Sequence, residues 1–100
     1  MLYQKESYLL DPFFTDKKII VTGGCGFIGS NLIRRLIRGS NSKIFNIDKL
    51  SYASDSSGIE EELSRNNIED SSRYELLKVD LADYENLNNI IHQIKPDLIF

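Results

Sequence analysis

The sequence predicts an α/β chain with a doubly wound, Rossmann-type parallel sheet, and three observations carry that expectation. Short apolar runs alternate with amphipathic segments in the order β-α-β-α-β-α-β, the pattern of a parallel sheet with helical crossovers. The first run, Ile19-Ile20-Val21, passes directly into Thr22-Gly23-Gly24-Cys25-Gly26-Phe27-Ile28-Gly29, in which Gly24, Gly26 and Gly29 fit G-x-G-x-x-G. Asp48 follows, about 20 residues on, where a dinucleotide fingerprint expects an acid for the adenosine ribose. Glycines at 23, 24, 26 and 29 are expected to allow positive φ, close approach of a pyrophosphate and tight packing of helix on strand. The first N–H groups of the helix then face the anion, where the macrodipole also favours negative charge.

Composition bounds the alternatives. One hundred residues, 41% apolar and 27% charged, fit one small globular domain rather than a disordered chain. The formal net charge of −3 and the absence of a basic run give no footprint for nucleic acid or acidic membrane. No apolar run approaches the ~20 residues of a membrane span, and the N-terminus lacks the order of a signal peptide, so a cytosolic setting is expected. The single cysteine, Cys25, agrees with a reducing compartment.

In chain order, residues 1–16 read as an N-terminal extension in which Pro12 stops any helix and Phe13-Phe14 pack against the sheet edge or a partner. Residues 17–100 read as a partial dinucleotide-binding domain. Lys17 to Thr22 is the first strand, nearly all apolar, as a strand covered on both faces should be. Phe27 to Arg38 is a helix with Ile28, Leu32, Ile33, Leu36 and Ile37 on its apolar stripe, Arg34, Arg35 and Arg38 on a solvated face, and Gly39 placed to end it. Lys43 to Ile47 is a second strand that delivers Asp48 to its carboxyl end; Lys49 to Ser57 is a loop, and Gly58 to Asn67 a weak helix. A third strand, Tyr74 to Val79, ends in Asp80-Leu81. Asp83 is the N-cap candidate of a helix reaching Ile94, which Lys95-Pro96-Asp97 breaks before a fourth strand, Leu98-Ile99-Phe100. The expected strand order is 3-2-1-4, with the fourth strand beside the first and the sheet continuing past Phe100.

Thr22-Gly-Gly-Cys-Gly-Phe-Ile-Gly-Ser-Asn-Leu32 resembles the cofactor turn of extended short-chain dehydrogenases/reductases, the sugar-nucleotide epimerases and dehydratases. Asp48-Lys49-Leu50-Ser51-Tyr52-Ala53 is similar to the Asp-Lys-Leu-Thr-Tyr-Ala segment of dTDP-glucose 4,6-dehydratases, and Arg73-Tyr74, Asp80-Leu81 and Lys95-Pro96-Asp97 resemble the same subgroup. The resemblance covers about residues 17 to 100. It implies NAD as cofactor, with Gly23, Gly26, Phe27, Ile28 and Gly29 around the pyrophosphate, Asp48, Lys49, Leu50 and Ser51 around the adenosine ribose, and Asp80 and Leu81 framing the adenine. A carboxylate at 48 can accept both ribose hydroxyls and repels a 2′-phosphate, which favours NAD over NADP; the cation of Lys49 partly offsets that repulsion. Without the family, Asp80 reads equally well as a cap for the following helix.

The family takes its acid-base pair from a Tyr-x-x-x-Lys helix, expected beyond the fourth strand. Tyr3, Tyr8, Tyr52, Tyr74 and Tyr84 are all read as lacking the lysine partner, so no catalytic residue is assigned. His92 reads as an ordinary helix-face histidine and Cys25 as an inert small residue in the turn. No residues stand at metal-ligand spacing. Two other functions stay open: a non-catalytic NAD-binding or interaction module, and part of a related epimerase or decarboxylase. A nucleotide sugar such as dTDP-glucose is expected as substrate only if a C-terminal part completes the site, and a homo-oligomer stays open.

Overall fold

A computed structural model describes residues 12–50, 57–66, 68 and 73–100. A 3-10 turn, Pro12–Phe14, precedes β1 (Lys18–Thr22), α1 (Phe27–Gly39), β2 (Lys43–Asp48), α2 (Ser57–Arg65), β3 (Tyr74–Lys78), α3 (Tyr84–Ile94) and β4 (Leu98–Ile99). The four strands form one parallel sheet in the order β3-β2-β1-β4, the doubly wound order expected from the sequence. In register, Ile20 of β1 stands between Phe45 of β2 and Ile99 of β4.

Alternation along the central strands divides the core in two. Ile19 and Val21 of β1 and Ile44 of β2 pack with Ile33, Leu36 and Ile37 of α1 and with Ile59 of α2. On the opposite face Ile20, Phe45, Ile47 and Val79 pack beneath Leu87, Ile90, Ile91 and Ile94 of α3. Helices on both faces explain why β1 and β2 are apolar at successive positions rather than alternate ones. α3 contributes no fully buried residue, so its face of the sheet is the more thinly covered.

The element ends account for most of the non-apolar sequence. α1 includes Gly39 and stops one residue later than expected, at Ser40, whose backbone N–H and Oγ both donate to the Leu36 carbonyl at 3.1 and 2.7 Å. Arg73 then closes the same end: its guanidinium donates to the carbonyls of Ser40 at 2.6 Å, Ser42 at 3.1 Å and Ile37 at 3.4 Å. A cation satisfying the last carbonyls of a helix is favoured by the macrodipole as well as by hydrogen bonding. Burial lowers the Arg73 pKa from its usual value. Asp83 caps α3 as expected, accepting from the Asn86 N–H at 3.3 Å, and Lys95 ends it in the left-handed region at φ 53. Asp97 ties β4 to the start of β1: its Oδ2 accepts from the Lys18 N–H at 2.8 Å while its own N–H donates to the Lys18 carbonyl.

Two expectations are corrected here. Arg34 and Arg38 are not simply a solvated face, because both reach Oε1 of Glu62 at 3.5 Å, and Glu62 is buried against α1 and also accepts from Asn66 Nδ2 at 3.1 Å. The pairing docks α2 on α1 through charge as well as through Ile59. Pro12 begins a 3-10 turn rather than only breaking structure, consistent with its fixed φ. Phe14 from that turn packs on the core beneath α1, with Phe13 edge-on to it at 5.5 Å and Lys17 Nζ over the Phe13 ring.

Candidate functional site

The turn between β1 and α1 is fixed by its own backbone. The Gly23 N–H donates to the Ile47 carbonyl at 2.8 Å, and the Gly23 carbonyl accepts from the Gly26 N–H at 3.0 Å. Among its glycines only Gly23 has positive φ, 64°, which corrects the expectation of left-handed backbone through the whole stretch. Gly24 and Gly29 are required by packing instead. A Cβ on Gly29 would lie 2.5 Å from the Gly23 carbonyl oxygen, and one on Gly24 would lie 2.2 Å from Oδ1 of Asn46 and 2.4 Å from Ile33. Gly26 is the N-cap of α1 and has no side chain to close the first turn's N–H groups, which leaves that end suited to an external anion.

Asp48 is mostly buried, at 7% exposure, at the carboxyl end of β2. Its Oδ2 accepts from the Cys25 N–H at 2.9 Å and its Oδ1 from the Leu50 N–H at 2.7 Å. The acid therefore staples the glycine turn to the loop after β2 and holds Leu50 in the left-handed region, φ 57°, an unfavourable conformation for a side chain with a γ-branch.

Two clefts open at the carboxyl ends of the strands, where ligands of doubly wound sheets sit. One, of about 350 Å³, is lined by Gly23, Gly26, Asp48, Lys49, Asp80 and Leu81. The other, of about 510 Å³, is bounded by Thr22, Gly26, Phe27, Ile28, Gly29 and Phe100. Gly23 and Gly26 line both, so the turn is the divide between them. Phe27 and Ile28 are 84% and 83% exposed at the start of α1, an unusual position for two large apolar side chains unless something covers them.

The two clefts thus gather Gly23, Gly26, Phe27, Ile28, Gly29, Asp48, Lys49, Asp80 and Leu81. Leu50 lines neither cleft and contributes through its backbone, and Ser51 lies outside the described residues. Asp80 borders the cleft, and its reading as the helix cap is corrected: Asp83 caps α3, while Asp80 Oδ1 accepts from the Ala82 N–H at 2.9 Å in the turn before it. His92 is exposed in the last turn of α3.

One tyrosine does have a lysine four residues on, contrary to expectation: Tyr74 and Lys78. Both lie on β3, where four residues span about 13 Å, instead of on a helix where the same spacing makes neighbours. The Tyr74 hydroxyl accepts from Asn46 Nδ2 at 3.0 Å. Burial pushes the Tyr74 pKa up, against the opposing effect of the Asn46 hydrogen bond. The spacing is present without the geometry of a catalytic pair.

Sequence reasoning passed over Asn46. It is fully buried at the middle of β2, and its Nδ2 also donates to Cys25 Sγ at 3.4 Å. A polar residue inside an apolar strand, two residues before the acid at the carboxyl end of that strand, was the available signal.

The residues from 20 to 100 match the family model described as GDP-mannose 4,6 dehydratase. A dTDP-glucose 4,6-dehydratase of Haemophilus influenzae is 42% identical over 81 residues, 81% of this chain and 22% of that protein. Another, from Neisseria meningitidis serogroup B, is 37% identical over 83 residues, 83% of this chain and 22% of its own length. The chain thus spans about a fifth of the length of these curated relatives. Among solved structures, the dTDP-glucose 4,6-dehydratase of Bacillus anthracis in complex with NAD superposes with a TM-score of 0.66 at 29% identity, over 83% of this chain and 25% of that one. A UDP-glucose-4-epimerase from Stenotrophomonas maltophila shares the fold at a TM-score of 0.64 and 23% identity, over 83% and 23% of the two chains. With a doubly wound sheet, a glycine turn at its switch point and a family match over residues 20–100, the chain belongs to the GDP-mannose 4,6 dehydratase family.

Proposed function

We propose that this chain is an NAD-binding N-terminal portion of a dTDP-glucose 4,6-dehydratase-like enzyme, with residues 17–100 as the partial cofactor domain and 1–16 preceding it. The observation that carries the reading is the glycine turn itself: an α1 N-terminus without a side-chain cap, set between two clefts, with a carboxylate at the floor of one. NAD fits that arrangement by its chemistry. An anionic pyrophosphate suits the α1 N-terminus, where an added Cβ at Gly23 would meet nothing within 4 Å and the backbone is open to approach. A ribose diol suits the acceptor chemistry of the Asp48 carboxylate, and an adenine ring suits the cleft that Gly23, Asp80 and Leu81 line. Volumes of 350 and 510 Å³ lie within the range of small-ligand sites.

When bound, NAD supplies a hydride acceptor. In this reading the residues of the chain bind and orient it: Gly23, Gly26, Phe27, Ile28 and Gly29 at the pyrophosphate, Asp48 to Ser51 at the ribose, and Asp80 and Leu81 at the adenine. The near-complete burial of Asp48 keeps its charge poorly screened and disfavours a 2′-phosphate beside it. Lys49 is exposed and offsets this weakly. The B. anthracis structure with NAD supports the cofactor, and the dehydratase relatives support a nucleotide sugar as the substrate once the remaining part of such an enzyme is supplied. A cytosolic location is part of the same proposal.

Calorimetric titration of the chain with NAD and NADP tests the reading. The expected result is measurable NAD binding, weaker NADP binding, and loss of both in Gly26→Val, whose branched side chain meets the Gly23 carbonyl at a distance of 3.3 Å from Cβ alone and projects into the divide between the clefts. Equal affinity for NADP, or binding unaffected by Gly26→Val, overturns it.

A further inference from the structure

We propose that Asn46 is a positioning residue for the cofactor turn, acting through Cys25 on Asp48 without touching a ligand. The inference rests on the NAD reading of the turn but on a different set of groups. Asn46 is 0% exposed, so no part of its side chain reaches either cleft. Its Nδ2 donates to the Tyr74 hydroxyl on β3 at 3.0 Å and to Cys25 Sγ in the turn at 3.4 Å. Cys25 in its turn donates its backbone N–H to Asp48 Oδ2. A polar chain therefore runs Tyr74–Asn46–Cys25–Asp48, from the edge strand, across the centre of β2, through the glycine turn to the carboxylate.

The cost of this arrangement argues for its purpose. Oδ1 of Asn46 has no hydrogen-bond partner among the described residues, and burying such an acceptor is unfavourable. That oxygen is pressed against Gly24, where an ideal Cβ would lie 2.2 Å away. An apolar residue of similar size would fill the place in β2 without the orphaned oxygen. Asparagine adds only the hydrogen bonds to the turn and to β3, and those bonds fix where the Cys25 N–H points. If that N–H is displaced, Asp48 loses a backbone donor that, with the Leu50 N–H, aims its carboxylate, and the carboxylate no longer meets the ribose at the required angle.

The test uses the 100-residue chain with the double substitution Asn46→Leu and Tyr74→Phe, which removes the amide without leaving the phenol unpaired. We expect a melting temperature close to that of the parent, NAD binding weakened roughly three- to tenfold, the worth of one hydrogen bond, and a reduced preference for NAD over NADP. A purely structural role for Asn46 lowers the melting temperature and leaves the NAD affinity of the folded chain and its NAD preference unchanged, and that outcome overturns the proposal. Tyr74→Phe alone supplies a second measurement that needs no ligand: faster hydrogen exchange at the Cys25 amide is expected, and unchanged exchange there refutes the chain of contacts even if the double variant does not fold. Failure of the parent to bind NAD defeats the cofactor reading and leaves the exchange result standing by itself.

Discussion

Asp48 holds two positions at once, as a staple for backbone N–H groups of Cys25 and Leu50 and as the acid on the floor of a cleft. Asp48→Ala is expected to weaken NAD binding by about 1–3 kcal/mol, the scale of hydrogen bonds to a charged acceptor, and to weaken NADP binding less; titration of both cofactors separates this from a structural loss, which lowers the two alike. Tyr74 sets a pH dependence. Its folded pKa is raised by burial, so between the unfolded value, about 10, and the folded one the native chain holds a proton that the unfolded chain has released. Stability from this group is fully present below the unfolded value and is lost as pH rises through the folded one. Denaturant unfolding followed from pH 8 upward is expected to show this decline, and Tyr74→Phe to remove it. At this scale the glycine motif and Asp48 were legible because their spacing along the chain is their function. Asn46, Glu62 and Arg73 were not, because the partners that tie them to other elements lie more than 20 residues away and only the fold brings them together.

The helices are held less by their own sequences than by what reaches them from elsewhere. The C-terminal carbonyls of α1 are answered by Arg73, a residue of the β3 lead-in. Arg73→Ala is expected to cost about 2 kcal/mol, in the range for hydrogen bonds from a charged donor, and Arg73→Lys to recover only part of it because an ammonium cannot span several carbonyls with a planar fork; chemical denaturation measures both. Strands and helices themselves could be read from apolar runs and 3.6-residue stripes: β1, β2, α1 and α3 lie within a residue of their expected bounds. The arginine face of α1 misled, since a charge pattern looks the same whether it meets water or a buried Glu62 on the next helix. Its opposite number, α2, has only Ile59 and Glu62 buried, too few apolar positions to announce where it docks.

At the scale of the whole molecule, one cleft carries several of the exposed large apolar side chains among the described residues. Phe27, Ile28 and Phe100 border the larger cleft, and Ile99 lies beside them on the sheet's last strand. Such a surface, rimmed by the glycine turn, is expected to be covered in a complete enzyme. Supplying the remaining part of a dTDP-glucose 4,6-dehydratase in trans is therefore expected to raise the melting temperature and yield turnover of dTDP-glucose, whereas the chain alone is expected to give none, since no positioned acid-base pair, worth typically 10²–10⁴-fold, stands among the described residues lining its clefts. Scanning calorimetry and a product assay on the mixture, with each part alone as control, decide this; turnover by the chain alone would contradict it.

The pairing of Asp97 with Lys18 also sets a timetable. β1 precedes the other strands of the sheet and sits inside it, yet its outer neighbour is β4, 79 positions later in the chain. Until the residues of β4 emerge, Ile19, Ile20 and Val21 can find only β2 on one side, and their other edge stays open. Long-range strand pairing of this kind is slow to form because chain closure must come before contact. Between the synthesis of β1 and that of β4, a nascent chain therefore carries β1 half-paired, in the interval when chaperone capture or mispairing competes with folding.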